Sequence, residues 1–267
     1  MATSKVTTER HGRAFVVAIN RPEVRNCVDG ETAQGLFEAV EEFKRDDSLD
    51  VMVLTGTPSE DGAARAFCSG ADLKNTSSLG SRPGAGESGP MGISRITDVH
   101  KPTIAAVDGY CTAGGLELAC WCDFRVATSG SQFGVLNRRW GVPLVDGGTQ
   151  RLPQIVGAGN AMYLIVTGAL IDAGHALRMG LVQEIVPSGK ALERVLTIAD
   201  TLSSYPQTAM RNDRRAALAA FTLPIEEGLR FEVEAHRNSL ADPAMAQWLD
   251  RFAKGERPQP ITPPPAP

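Results

Sequence analysis

Apolar residues arrive along this chain in two rhythms. Short unbroken runs at residues 14–19, 51–55, 103–107 and 124–127 are bounded by turn residues and read as buried strands. Residues 31–44 instead place Leu36, Ala39, Val40 and Phe43 at helical spacing, which predicts an amphipathic helix between the first two strands. This alternation is that of an α/β fold. Beyond about Tyr205 the pattern turns helical, over 207–221, 225–240 and 245–254. The chain therefore divides into an α/β core over 1–204, a helical region over 205–254 and a tail over 255–267. The tail is dominated by proline, has no core-forming pattern and is expected to be disordered. Residues 75–92, rich in Ser, Gly and Pro, are expected to form a mobile surface loop.

Two segments carry candidate chemistry. In the first, the strand at 103–107 runs through Asp108-Gly109-Tyr110-Cys111-Thr112-Ala113-Gly114-Gly115-Leu116-Glu117 into a helix with a carboxylate in its first turn. The first N–H groups of a helix lack intrahelical acceptors and carry the positive end of its dipole. Residues three apart share a helical face, so Glu117 projects on the side of Gly114. The second segment is Arg65-Ala66-Phe67-Cys68-Ser69-Gly70-Ala71-Asp72-Leu73-Lys74. An amide near Ser69-Gly70, facing that of Gly114, would complete a pair of donors for an oxyanion. Either segment alone reads equally well as a glycine turn between ordinary elements.

Composition narrows the classes. A length of 267 residues allows a sizeable core, and 42% hydrophobic with 22% charged residues is globular. A formal charge of −4 offers no field for nucleic acid. No run approaches the ~18 apolar residues of a membrane span, and Met1-Ala2-Thr3-Ser4-Lys5 has no signal-like apolar stretch. Five cysteines without a paired CxxC spacing read as reduced thiols of a cytoplasmic enzyme. Four scattered histidines argue against a metal site, and no phosphate-binding glycine loop is present.

Six elements, in order, resemble the crotonase superfamily, the enoyl-CoA hydratase/isomerase family. They are Asn20-Arg21-Pro22 with Asn26; Phe67-Cys68-Ser69-Gly70-Ala71-Asp72-Leu73; Gly114-Gly115-Leu116-Glu117-Leu118-Ala119 with Cys122-Asp123; Phe133-Gly134; Gly147-Gly148-Thr149-Gln150-Arg151-Leu152; and Thr167-Gly168 with Ala173, Ala176 and Gly180-Leu181-Val182. The resemblance implies a spiral of ββα turns and a C-terminal helical region that packs into homotrimers, often paired as hexamers. It implies an acyl-CoA thioester substrate and no cofactor beyond that coenzyme A moiety. The oxyanion donors would be the N–H groups of Ser69 and Gly114, with Glu117 as one of two glutamates that activate water. The segment Ala71-Asp72-Leu73-Lys74 would cradle the adenine end, with Arg25 and Lys101 as phosphate partners and Lys254 reaching in from a neighbouring subunit. Asp72 equally suits a helix N-cap.

The chain departs from the hydratase pattern at the second glutamate, where Asn137 stands. An amide can orient water but cannot exchange a proton as a carboxylate does. Asp146 is the nearest substitute, or else it caps the helix beginning at Gly147-Gly148. Arg138 and Arg139 suit a substrate carboxylate or a structural role. The resulting expectation is hydration of a 2-enoyl-CoA. The alternatives are double-bond isomerisation, other thioester-enolate chemistry, or non-catalytic binding of acyl-CoA or RNA.

Overall fold

The computed structural model describes residues 4–59 and 65–264. Its elements in chain order are β1 (Val6–His11), β2 (Ala14–Ile19), α1 (Gly30–Arg45), β3 (Val51–Gly56), β4 (Ala66–Cys68), α2 (Thr76–Ser81), α3 (Ala85–Ser88), β5 (Thr103–Val107), β6 (Tyr110–Thr112), α4 (Gly114–Trp121), β7 (Phe124–Thr128), β8 (Gln132–Gly134), α5 (Gly148–Thr167), β9 (Leu170–Asp172), α6 (Ala173–Arg178), β10 (Glu184–Val186), α7 (Ala191–Ser204), α8 (Gln207–Ala219), α9 (Ile225–Leu240) and α10 (Pro243–Ala253).

The buried runs of the sequence become neighbours in one six-stranded sheet, ordered β1-β2-β3-β5-β7-β10. It is parallel except for β1, which pairs antiparallel with β2 at one edge. Side chains alternate between two apolar layers. Phe15, Val17, Met52, Leu54, Ala105 and Val107 enter the larger core. Val16, Val53, Ile104 and Ala106 meet Val195, Ile198 and Ala199 of α7. A parallel sheet covered on both faces gives continuous apolar runs, which is why these strands were legible.

A second, four-stranded sheet has the order β4-β6-β8-β9. Its strands are only three residues long. Each passage of the chain lays one strand in the large sheet and the next in the small one, then adds a helix: β3-β4-α2, β5-β6-α4, β7-β8-α5. That is the expected spiral of ββα turns.

Three regions differ from expectation. Residues 75–92 contain α2 and α3 because Arg82 turns inward, lying over the Phe37 ring and bonding Ser88 Oγ at 2.5 Å and the Gly89 carbonyl at 2.9 Å. Lys101 is buried beneath the end of α1. Its Nζ donates to the carbonyls of Phe43 at 2.9 Å and Asp46 at 2.7 Å, acceptors that a helix C-terminus leaves open. It is a helix cap, not a phosphate partner. In the tail, Ile261 packs against the α7 side of the core and the Thr262 carbonyl accepts from Arg194 at 2.9 Å; residues 265–267 lie outside the described residues.

The C-terminal helices are tied to the core by ion pairs from Arg211 to Asp50 and Arg214 to Asp123, both at 2.7 Å. Their other side is apolar and exposed: Ile225, Leu229, Val233 and Leu240 of α9 are 52–76% accessible.

Candidate active site

Strand β6 lies between β4 and β8, parallel to both. The C-terminal ends of three adjacent strands therefore deliver three loops to one place. β4 leads into Ser69-Gly70-Ala71, β6 into Ala113 and the start of α4, and β8 into a 3₁₀ turn at Leu136–Trp140. Together they wall a cavity of about 440 Å³ whose lining includes Ser69, Ala71, Gly114, Glu117, Asn137 and Asp146. That size falls within the range of about 300–1,000 Å³ usual for small-molecule sites. A larger cavity, about 660 Å³, lies at the C-terminal end of α4 against α8 and α9 and contains none of these six residues.

Glycine lets the first two loops touch. A Cβ on Gly115 would stand 2.0 Å from the Cys68 carbonyl oxygen, and one on Gly70 would stand 3.0 Å from the Gly114 nitrogen. Ala113, at φ +52°, holds a left-handed conformation costly for a residue with a side chain and bonds the Gly134 carbonyl at 2.9 Å. Among the described residues, the Gly114 N–H at the first helical position meets no acceptor.

The second donor is not where the sequence placed it. The Ser69 N–H donates to the Arg25 carbonyl at 3.1 Å, and the Ser69 hydroxyl reaches the same oxygen at 3.0 Å. Ala71 instead forms a parallel bridge with Val28, in which the Val28 N–H bonds the Gly70 carbonyl at 2.9 Å and the Asp72 N–H bonds the Val28 carbonyl at 2.8 Å. Alternation along an extended chain turns the Ala71 N–H the other way. Among the described residues it has no acceptor.

Glu117 is 4% exposed, and one carboxylate oxygen, Oε1, accepts the N–H groups of Asp146 at 2.9 Å and Gly148 at 2.8 Å. These bonds come from the turn into α5. Burial pushes its carboxyl up to about 7, against the stabilising Gly148 amide and with the help of the nearby Asp146 charge. It is thus poised to exchange a proton near neutral pH.

Asn137 is buried on the cavity wall. Its Nδ2 donates to the Val142 carbonyl at 2.8 Å, which fixes the amide orientation and leaves Oδ1 buried with no hydrogen bond. Asp146 does not cap α5, whose N-cap is Gly147 without a side-chain bond. Its Oδ1 accepts the Met91 N–H at 3.0 Å and the Ser94 hydroxyl. Arg151 supports the same junction, donating to the carbonyls of Ser94 at 2.7 Å and Asp146 at 3.3 Å.

The remaining candidates divide. Arg25, at φ +55°, lies over the Tyr110 ring at the cavity, with Ala71 and the half-exposed Leu73 beside it. Asp72 points away to Arg21 at 2.9 Å and accepts the Lys74 N–H, so it closes a turn and caps no helix. Arg138 and Arg139 donate to the carbonyls of Ile165 and Gly168 at the end of α5, a structural use. Lys254 pairs with Asp250 at 2.6 Å on α10 and is outside the cavity of this chain. Sequence reasoning missed Met91, Ser94, Tyr110 and Arg151, because their partners lie more than 50 residues away and leave no local pattern; it also missed Trp140 on the cavity wall.

Comparison with known proteins gives the family. The family model described as enoyl-CoA hydratase/isomerase matches residues 9–259. A crotonyl-CoA hydratase of Syntrophomonas wolfei is 34% identical over 238 residues, covering 88% of this chain and 89% of the relative. A probable enoyl-CoA hydratase of Mycobacterium bovis is 31% identical over 259 residues, 97% of this chain and 98% of the relative. The crystal structure of an enoyl-CoA hydratase from Mycobacterium tuberculosis superposes with a TM-score of 0.87 at 28% identity, covering 96% of this chain and 98% of that one. With its fold, its glycine-packed amide pair and a match spanning nearly the whole chain, this protein belongs to the enoyl-CoA hydratase/isomerase family.

Proposed function

We propose that this chain hydrates 2-enoyl-CoA thioesters. The observation that carries the reading is a buried glutamate of raised pKa beside two amides without acceptors, all lining one cavity. The thioester oxygen lies between the Ala71 and Gly114 N–H groups, which stabilise the charge that develops there as an enolate forms. Ionised Glu117 takes a proton from water as the water oxygen bonds the β-carbon. Asn137 Oδ1, an acceptor with no partner, receives the other water hydrogen. Arg25 and Leu73 at the cavity support the coenzyme A chain.

The measurement is steady-state hydration of crotonyl-CoA by the wild type and Glu117→Gln. Gln keeps the two backbone bonds but cannot take the proton, so turnover should fall by about 10²–10⁴. A wild-type rate no better than the variant's removes the reading. A second reading, double-bond isomerisation through the same enolate, is favoured by the amide at Asn137, because isomerisation adds no water.

The exposed apolar stripe of α9, continued by Leu249 and Phe252 of α10, supports self-association into a trimer or hexamer. No helix among the described residues is long and apolar enough to cross a membrane. All five cysteines are free thiols and four are buried, which supports a reducing cytoplasmic setting.

A further inference from the structure

The hydration reading leaves the donor of one proton unassigned: the one added to the α-carbon. We propose that Asp146 is a second catalytic acid–base group, exchanging that α-carbon proton while Glu117 serves the water at the β-carbon. The inference rests on the thioester-enolate reading of the same cavity.

Three observations converge on it. Asp146 and Glu117 line the cavity together, joined by the Asp146 N–H on Glu117 Oε1. Both bonds to the Asp146 carboxylate fall on Oδ1, so among the described residues Oδ2 has no hydrogen-bond partner. Among the described residues no cation forms an ion pair with this group, although it is only 3% exposed. The neighbouring guanidiniums spend their donors on carbonyls, Arg95 on Gly86 and Val145, Arg151 on Ser94 and Asp146. A buried carboxylate without an ion pair is costly in its charged form. Burial raises its pKa against the bonds from Ser94 and Met91 and the charges of Arg95 and Arg151. Position 137, meanwhile, cannot supply a proton.

The step balances with one proton shared between two carboxyls. The reactive form of the pair carries that proton on Asp146 and leaves Glu117 ionised. A water lone pair bonds the β-carbon while its proton passes to Glu117, and the double-bond electrons move into the thioester as an enolate. The enolate α-carbon then takes the Asp146 proton. Transfer from Glu117 back to Asp146 resets the pair, and the net addition is one water.

A purely structural Asp146 would only clamp residues 89–95 across the pocket. Asp146→Asn separates the roles, since its Oδ1 still accepts from Met91 and Ser94. The experiment follows deuterium entry at the α-carbon of butyryl-CoA in D₂O by NMR, a reaction that needs no water addition. The wild type should exchange, and Asp146→Asn should lose at least about 100-fold. Exchange by Asp146→Asn at the wild-type rate overturns the proposal, as does its absence from the wild type. If Asp146→Asn does not fold, Asp146→Ser is measured in its place with the same two outcomes. Failure of hydration alone, with α-exchange intact and dependent on Asp146, would instead count against the hydratase reading.

Discussion

Glu117 shows how one residue's environment sets both activity and stability. Its carboxyl moves from 4.5 to about 7 mainly because burial disfavours its charge. A group whose pKa rises on folding contributes stability that is complete below the unfolded value and lost as pH rises through the folded one. The window here runs from about pH 4.5 to 7, and the loss is on the order of 3 kcal/mol. Glu117→Gln should therefore melt several degrees above the wild type at pH 8 and level with it at pH 4.5, read by thermal denaturation. An equal difference at both values contradicts this account. Because catalysis uses the ionised form, kcat/KM for crotonyl-CoA should decline as pH drops below about 7. At the same scale, Glu117 could be chosen from the sequence through its offset from Gly114, whereas Ser69 could not be told from Ala71. Which amide of a loop is free depends on its bridge to Val28.

At the scale of elements, the site is a contact between the end of β4 and the start of α4, made possible by Gly70 and Gly115. Gly70→Ala adds a Cβ against Ala113 and the Gly114 nitrogen at φ +102°. It should shift one amide relative to the other and lower kcat by about 10²-fold, with a stability loss of about 1–3 kcal/mol in urea unfolding. A variant with normal turnover would show that the two amides need no such fit. The long runs of β2, β3, β5 and β7 could be read directly because both faces of their sheet are buried. Three-residue strands such as β4, β6 and β8 are too short to show any period, yet they carry the loops that line the cavity. The helices within residues 75–92 escape the sequence for a related reason: Ser78, Arg82 and Met91 are held by bonds that composition does not show, two of them to distant parts of the chain.

For the whole molecule, α8 holds to the core through Arg211 and Arg214. Among the described residues, nothing covers the apolar side of α9. Ile225 and Leu229 lie one helical turn apart on that stripe, 76% and 54% exposed. Sedimentation of the wild type should give a trimer or a multiple of it. Replacing both residues with Asp should yield smaller species while the α/β core retains its circular dichroism. A wild-type monomer would leave the stripe to another partner.

Hydrophobic rhythm and glycine spacing, both local properties, determined the fold class and the principal strands and singled out Glu117 as a candidate. Tertiary structure alone decided that Ala71 offers its amide and Ser69 does not, that Lys101 closes a helix, and that Asp146 shares a wall with Glu117. Each of those depends on which groups find partners across many residues of chain. Hydrogen-bond partnership and burial arise only when distant segments meet, so no stretch of sequence carries them by itself.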